Sequence, residues 1–130
     1  MSETIKTHQA IDHQLCGKPL EVINGNSRVE LVTHQNMAVD HLNLVHGGFV
    51  FGLADHAAMI AVNHPNVVLG SAEVRFQKPV SVGETLIADA TVETNEGKKR
   101  PVIVSVKRGE EPVFEGTFTC FVLDRHVLEG

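Results

Sequence analysis

Polar and apolar residues alternate along residues 28–33, RVELVT, which puts Val29 and Leu31 on one face and predicts a half-buried strand. Ahead of it, residues 4–16 carry only Ile5, Ile11 and Leu15 among polar neighbours, a weak amphipathic helix. Residues 34–45 show no period and predict a loop running into His46-Gly47-Gly48. From 49 to 63 the pattern changes: eleven of fifteen residues are apolar, alanine is abundant, and the run stops at His64-Pro65-Asn66, where proline blocks continuation. A helix apolar nearly all round is a buried helix. Four later stretches, 67–79, 85–94, 100–108 and 112–123, have strand character. Turn-forming clusters at 81–84, 95–98 and 109–111 separate them and are short enough for antiparallel neighbours. The expected architecture is α+β: one buried helix, then a meander of four long strands joined in one sheet by the earlier strand, with the sheet wrapping the helix. Such a sheet leaves edges that dimerisation would pair and cover.

A length of 130 residues suits a single domain spanning 1–130, with its core at about 28–123. The strongest apolar run, 49–62, is interrupted by Gly52, Asp55 and His56 and falls short of the roughly 20 residues a membrane helix needs. The N-terminal sequence has neither an apolar h-region nor a small-residue cleavage site, so the expected location is cytoplasmic, with no membrane partner. The net charge of −5 and the lack of a long basic run argue against nucleic acid. Cys16 and Cys120 form no C-x-x-C pair and suit a reducing compartment. The eight histidines are scattered without H-x-x-x-H or H-E-x-x-H spacing, so no metal is expected. Trp and Tyr are absent, which removes a tyrosine acid from the candidate chemistry.

The segment that carries chemistry is NLVHGGFVFGLADHA, residues 43–57. Asp55 falls in the middle of an apolar helix, where a carboxylate must be hydrogen-bonded, meet water in a cavity, or take up a proton. It is either a partly exposed acid paired with a neighbouring chain or a functional group. Gly47 and Gly48 precede the helix. Their N–H groups are orphan donors of its first turn and their missing Cβ atoms admit a close ligand, the make-up of an oxyanion site. A plain helix-opening turn accounts for a Gly-Gly pair equally, and His46 alone reads as a structural histidine. Gly48 and Asp55 are seven residues apart, hence within about 20° around the helix but about 10.5 Å apart along it. One carbonyl does not meet both. Two antiparallel helices across a two-fold axis would bring Gly48 of one chain to Asp55 of the other.

The segment HGGFVFGLADHAAMIAVN, with GSAEVRFQKPVSVGETLIADATV after it, resembles the hot-dog-fold acyl-CoA thioesterases, above all their phenylacetic-acid-pathway (PaaI-like) branch. The resemblance runs from about Arg28 to Leu123. It implies a sheet wrapped around a central helix, a homodimer that often pairs into a dimer of dimers, and an acyl-CoA substrate, with coenzyme A part of the substrate and no separate cofactor. It implies an oxyanion pocket shaped by His46 and Gly48, with Gly47 beside it, and Asp55 as nucleophile or general base. Relatives often carry Asn six residues before the histidine. Here that position is Asp40, and Asn43 lies three before; Asn43 is the better water-positioning residue, because its amide donates as well as accepts. Some relatives use a Ser or Thr on the strand after the helix, for which Ser71 is the nearest candidate. Coenzyme A phosphates need cations, and Lys98-Lys99-Arg100, Arg108 or Lys78 would supply them. Phe49, Phe51, Met59 and Phe76 either line an acyl pocket or pack the core.

Two rivals share the fold. The strand run also resembles the acyl-CoA-sensing domain of a bacterial lipid-synthesis repressor, in which Asp55 would be superfluous. Asp40 with His46 gives a loose version of the pair used by hot-dog enoyl-CoA hydratases.

Overall fold

The computed structural model describes residues 2–130. A one-turn helix α1 (His13–Cys16) is followed by strands β1 (Lys18–Ile23) and β2 (Asn26–Val32), the central helix α2 (Gly47–Val62), and strands β3 (Val67–Phe76), β4 (Thr85–Val92), β5 (Lys99–Arg108) and β6 (Glu111–Val122). The six strands form one antiparallel sheet in the order β1-β2-β4-β5-β6-β3. This is the expected α+β hot-dog arrangement, with α2 packed against the inner face of the sheet.

The structure departs from the sequence pattern at three points. The consecutive meander has three strands, β4-β5-β6, because β3 pairs with β6 at one edge of the sheet and β2 fills the place beside β4. The link between β3 and β4 is therefore a crossover rather than a hairpin. It holds Pro79, which has no N–H to give a ladder, and it is tied to the loop before α2 by Val45 N–H to Val80 O at 2.8 Å and Val82 N–H to Asn43 O at 2.9 Å. Next, β1 escapes the period-two pattern because a bulge between Pro19 and Glu21 shifts its register and leaves Leu20 exposed. Third, only His13–Cys16 of residues 4–16 is helical, capped by Asp12 Oδ1 on the N–H of Gln14 at 2.8 Å. The residues before it lie against β1 and the end of α2, with Glu3 N–H on Val22 O at 2.7 Å and Lys6 N–H on Asn63 Oδ1 at 2.8 Å.

Helix α2 starts two residues earlier than the apolar run suggests and stops at Asn63, whose left-handed φ of 54° turns the chain before Pro65. Its buried positions are small where the sheet comes closest: Ala54, Ala57 and Ala58 are fully buried, interleaved with Leu53 and Ile60. Phe114 and Phe118 of β6 supply the bulk opposite them. Ser27 of β2, buried, donates its hydroxyl to Ala57 O at 2.6 Å and so joins strand to helix.

Gly17 is the tight point between α1, β2 and α2. Its φ is +98°, and a Cβ there would lie 2.7 Å from both Leu53 Cδ1 and Val29 Cγ1. Gly17→Ala combines a left-handed backbone cost with overpacking, so a loss of about 2–4 kcal/mol is expected. Urea unfolding of the variant against wild type measures it.

Candidate active site on the open face of the central helix

The start of α2 is uncapped. His46 is its N-cap residue, no side chain bonds the first-turn N–H groups, and the cap is backbone only, with Phe49 N–H on His46 O at 3.1 Å. Rings flank the glycines instead. A Cβ on Gly48 would lie 3.0 Å from His46 Nε2, and one on Gly47 would lie 3.2 Å from the Phe76 ring. His46 is held over Gly48 by an edge-on contact with Phe49, at 6.1 Å between centroids. Free N–H groups at the positive end of a helix suit developing negative charge on a carbonyl oxygen.

Further along α2, burial is lopsided. Val50, Leu53, Ala54 and every residue from His56 to Val62 are buried, whereas Gly48 is exposed and Phe51, Gly52 and Asp55 are partly so. Positions 48, 52 and 55 follow the i, i+4, i+7 spacing of one helix face, and the chain's own sheet leaves that face open. Asp55 sits on it with Oδ1 buried and without a hydrogen-bond partner. Burial pushes its carboxyl up to about 6. The neighbouring thiols stay protonated: burial first, then the charge of Asp55, pushes Cys120 up to about 12. Cys16 is raised by burial, then by Asp12 and Asp55. Beneath, His56 donates Nδ1–H to Cys16 O at 3.1 Å and stacks between His8 and His13, and burial lowers the pKa of both His56 and His8. These histidines pack α1 and the N-terminal segment onto the helix.

The other sequence candidates separate. Asp40 Oδ1 accepts the N–H groups of Leu42 at 3.0 Å and Leu44 at 3.3 Å, so Asp40 shapes the loop before α2. Asn43 is exposed at φ +64° and its Oδ1 accepts from Gln35 at 3.0 Å. It stands at the helix start, two turns from Asp55 of its own chain. Ser71 is exposed on edge strand β3, opposite Thr119 and just past the bulge that follows the Leu69–Cys120 pair. Phe51 packs on Phe118 at 5.3 Å, so core packing is its use within one chain. Lys99 is exposed, while Arg100 spends Nε–H on Gly97 O at 2.7 Å and Lys98 pairs with Asp124 at 3.1 Å. Arg108 is committed as well, to Glu84 at 2.9 Å, to Glu111 and to Pro79 O, which removes it from the candidates for phosphate. Lys78 is exposed and makes no ion pair among the described residues. Sequence reasoning passed over Gln77, beside it, whose Oε1 is buried with no partner. Only its place two residues before Pro79, next to Phe76 and Lys78, pointed there.

Residues 42–117, which include the whole of α2, match the Thioesterase superfamily, and the chain belongs to that family. It is 53% identical to an uncharacterized protein of Pyrococcus horikoshii, whose crystal structure superposes with a TM-score of 0.96 over 98% of both chains. Across 92% of its length it is 50% identical to a methylthioribose-1-phosphate isomerase of Aquifex aeolicus, and 73% of it is 30% identical to the transcription factor FapR of Caldanaerobacter subterraneus. The chain spans 26% of the length of the first of these two proteins and 48% of the second. No helix among the described residues is long and apolar enough to cross a membrane.

The raised Asp55 pKa fixes how stability varies with pH. Between the unfolded value of 3.8 and the folded value of about 6, the native state holds more protons than the unfolded state. Its contribution is therefore fully present below pH 3.8 and is lost as pH rises from there through 6. Asp55→Asn should match wild type in urea unfolding near pH 3 and exceed it by about 2 kcal/mol at pH 7.5, after allowing for the part of the group that water reaches.

Proposed function

We propose that the protein is a homodimeric acyl-CoA thioesterase of the cytoplasm, whose active site is shared between two chains. The observation that carries this reading is the orphaned carboxylate oxygen of Asp55 on the same open helix face as the uncapped Gly48 N–H. Catalysis in one chain would have to bridge about 10.5 Å of helix, which no single carbonyl does. The sheet supports a two-chain solution. Strand β3 is a ten-residue edge strand with only one paired side, the kind of edge that native proteins cover. Gly47 meets Phe76 at the end of β3, so the midpoint between Gly48 and Asp55 falls about two residues back along the strand, near Val74. One two-fold axis there would pair β3 with its copy and lay Gly48 against Asp55 of the partner. Glycines at 48 and 52 let the second helix approach.

In such a site the thioester oxygen takes the Gly48 N–H and the helix N-terminus, while Asp55 from the other chain attacks the carbonyl carbon or draws a proton from the water that does. The C–S bond breaks, the thiolate leaves and is protonated, and water supplies the oxygen of the acid. A thiolate is a good leaving group, so a strong general acid is unnecessary. Lys78 lies beside the start of α2, while Lys99 and Arg100 lie at the opposite end of the sheet, level with the start of β3, so Lys78 is the cation on the Gly48 side of one chain; Asn43 and His46 border the oxyanion donors. Binding without turnover is the second reading, suggested by the similarity to a transcription factor; the stability cost of Asp55 counts against it. The hydratase reading is weaker, since Asp40 is occupied by backbone N–H groups.

Thiol release from short-chain, aryl and long-chain acyl-CoAs, followed with a thiol-trapping reagent, tests the activity. Asp55→Asn is expected to lower kcat about a thousandfold with the fold intact; an undiminished rate would sink the mechanism. Mixing the two inactive variants Asp55→Asn and Gly48→Val, with subunits exchanged at random, should restore about a quarter of wild-type activity, because each mixed dimer keeps one intact site. No recovery would mean each chain acts alone.

A further inference from the structure

The N-terminal residues form a strap along the β1 edge and the end of α2. Glu3 donates its N–H to Val22 O at 2.7 Å, and its Oε2 accepts the Asn24 N–H at 2.7 Å, which closes the free side of β1. Asn63 holds the next stretch with both ends of its carboxamide, accepting the Lys6 N–H at 2.8 Å and donating to Thr4 O at 2.9 Å. Beyond that point imidazoles take over. His56 of α2 is only 2% exposed, and its Nδ1–H reaches Cys16 O at 3.1 Å. Its ring stacks with those of His8 and His13, at 6.4 and 6.2 Å between centroids and with planes 22° and 23° apart. His8 is half-buried in a left-handed conformation, φ 55°, with Nδ1 2.8 Å from the Thr7 hydroxyl oxygen.

Such a stack holds while its rings are neutral. Charged imidazoles at this spacing repel, and burial withholds the water that would screen them. The groups acting on the charge of His56 are the Cys16 carbonyl, which favours it, and His8 and His13, which oppose it. His8 borders a small cavity with Lys6 and His126, both basic. The carboxylates nearby are engaged elsewhere: Asp12 caps α1 and, with Asp55, acts on the Cys16 thiol. No histidine forms an ion pair among the described residues. Burial lowers the pKa of His8 and His56 from 6.5, so each contributes fully above pH 6.5 and its contribution is lost as pH falls through its folded value. Asp55 acts in the opposite sense, since its contribution grows as pH falls through 6. We propose that the stack of His8, His56 and His13 is an acid-operated latch, which holds residues 2–16 on α2 and β1 at neutral pH and frees them on acidification, uncovering the β1 edge and the side of α2 that carries His56. This inference is independent of the thioesterase reading.

Amide hydrogen exchange of the wild-type protein between pH 7.5 and 5, corrected for the intrinsic pH dependence of exchange, reads the opening directly. Uptake of one proton on opening changes the open population by at most about tenfold per pH unit. With His8 and His56 both taking up a proton, the exchange of residues 3–16 should at its steepest exceed that, while β4, β5 and β6 stay protected. His56→Asn keeps a donor for Cys16 O and carries no charge, and His8→Asn suits the left-handed backbone. Each leaves one of the two buried imidazoles and should hold the steepest change to about tenfold per pH unit or less, and the double variant should remove most of it. If His56→Asn is poorly folded by circular dichroism at pH 7.5, His8→Asn carries the test alone. A strap that exchanges alike at pH 7.5 and 5, a wild-type slope that survives His8→Asn, or protection lost from β4, β5 and β6 together with the strap overturns the latch.

Discussion

The site depends on placing a carboxylate in an apolar helix while leaving one face of that helix uncovered. Asp55 lies among Leu53, Ala54, His56 and Ala57, all buried, yet the sheet that encloses them does not close over positions 48, 52 and 55. Its buried oxygen has no partner and its carboxyl rises to about 6, so the fold keeps a group that lowers its stability at neutral pH. The same desolvation raises the basicity of Asp55, which a weakly basic exposed carboxylate lacks. One cause thus accounts for both the cost and the use proposed for it.

The sheet order explains why that face is open. With β3 crossing over to pair with β6, the chain has two edges far apart, a short one at β1 covered by the N-terminal residues and a longer one at β3, each with one bulge. The crossover that carries the chain from β3 to β4 passes the helix start, and its hydrogen bonds to residues 43 and 45 fix the loop that presents His46, Gly47 and Gly48. Gln77 and Lys78 belong to that same connection. Topology therefore puts the uncapped start of α2 and the open strand edge at one side of the molecule. Asp55 stands two turns down the helix, where a two-fold copy would reach it.

Much of this was legible in the chain because it was written in local pattern. The apolar run with one acid in it, the proline after it, the Gly-Gly before it and the alternation of residues 28–33 each depend on neighbours in sequence. What was not legible depends on partners distant in sequence. β1 was missed because Pro19 and the bulge break its period, and the place of β3 because short turns say nothing about crossovers. Arg108 looked like a free cation until Glu84, 24 residues away, claimed it. Asp40 matched the position of a catalytic residue in relatives, but its hydrogen bonds to Leu42 and Leu44 show a loop-forming one. Gln77 had only its place beside Phe76 and Lys78 to point to it, since an orphaned oxygen is visible only when every neighbour is in place.

The two cysteines and the histidine stack sharpen the chemistry by elimination. Cys120 and Cys16 both lie close enough to Asp55 to be raised by its charge, on top of their own burial, so neither offers a thiolate near neutral pH. Burial lowers the pKa of His8 and His56, and Nδ1 of His56 is spent on the Cys16 carbonyl. A neutral imidazole with its Nδ1–H in use, stacked between two others, orients the first turn of the chain against α2 and has little left for proton transfer. Asp55 then keeps a buried oxygen on the open face that the surrounding structure leaves unclaimed. Under the proposed two-chain reading the second half of the site comes from outside the chain, and the uncapped glycines at the head of an identical helix are the complementary group that symmetry would supply without any further sequence.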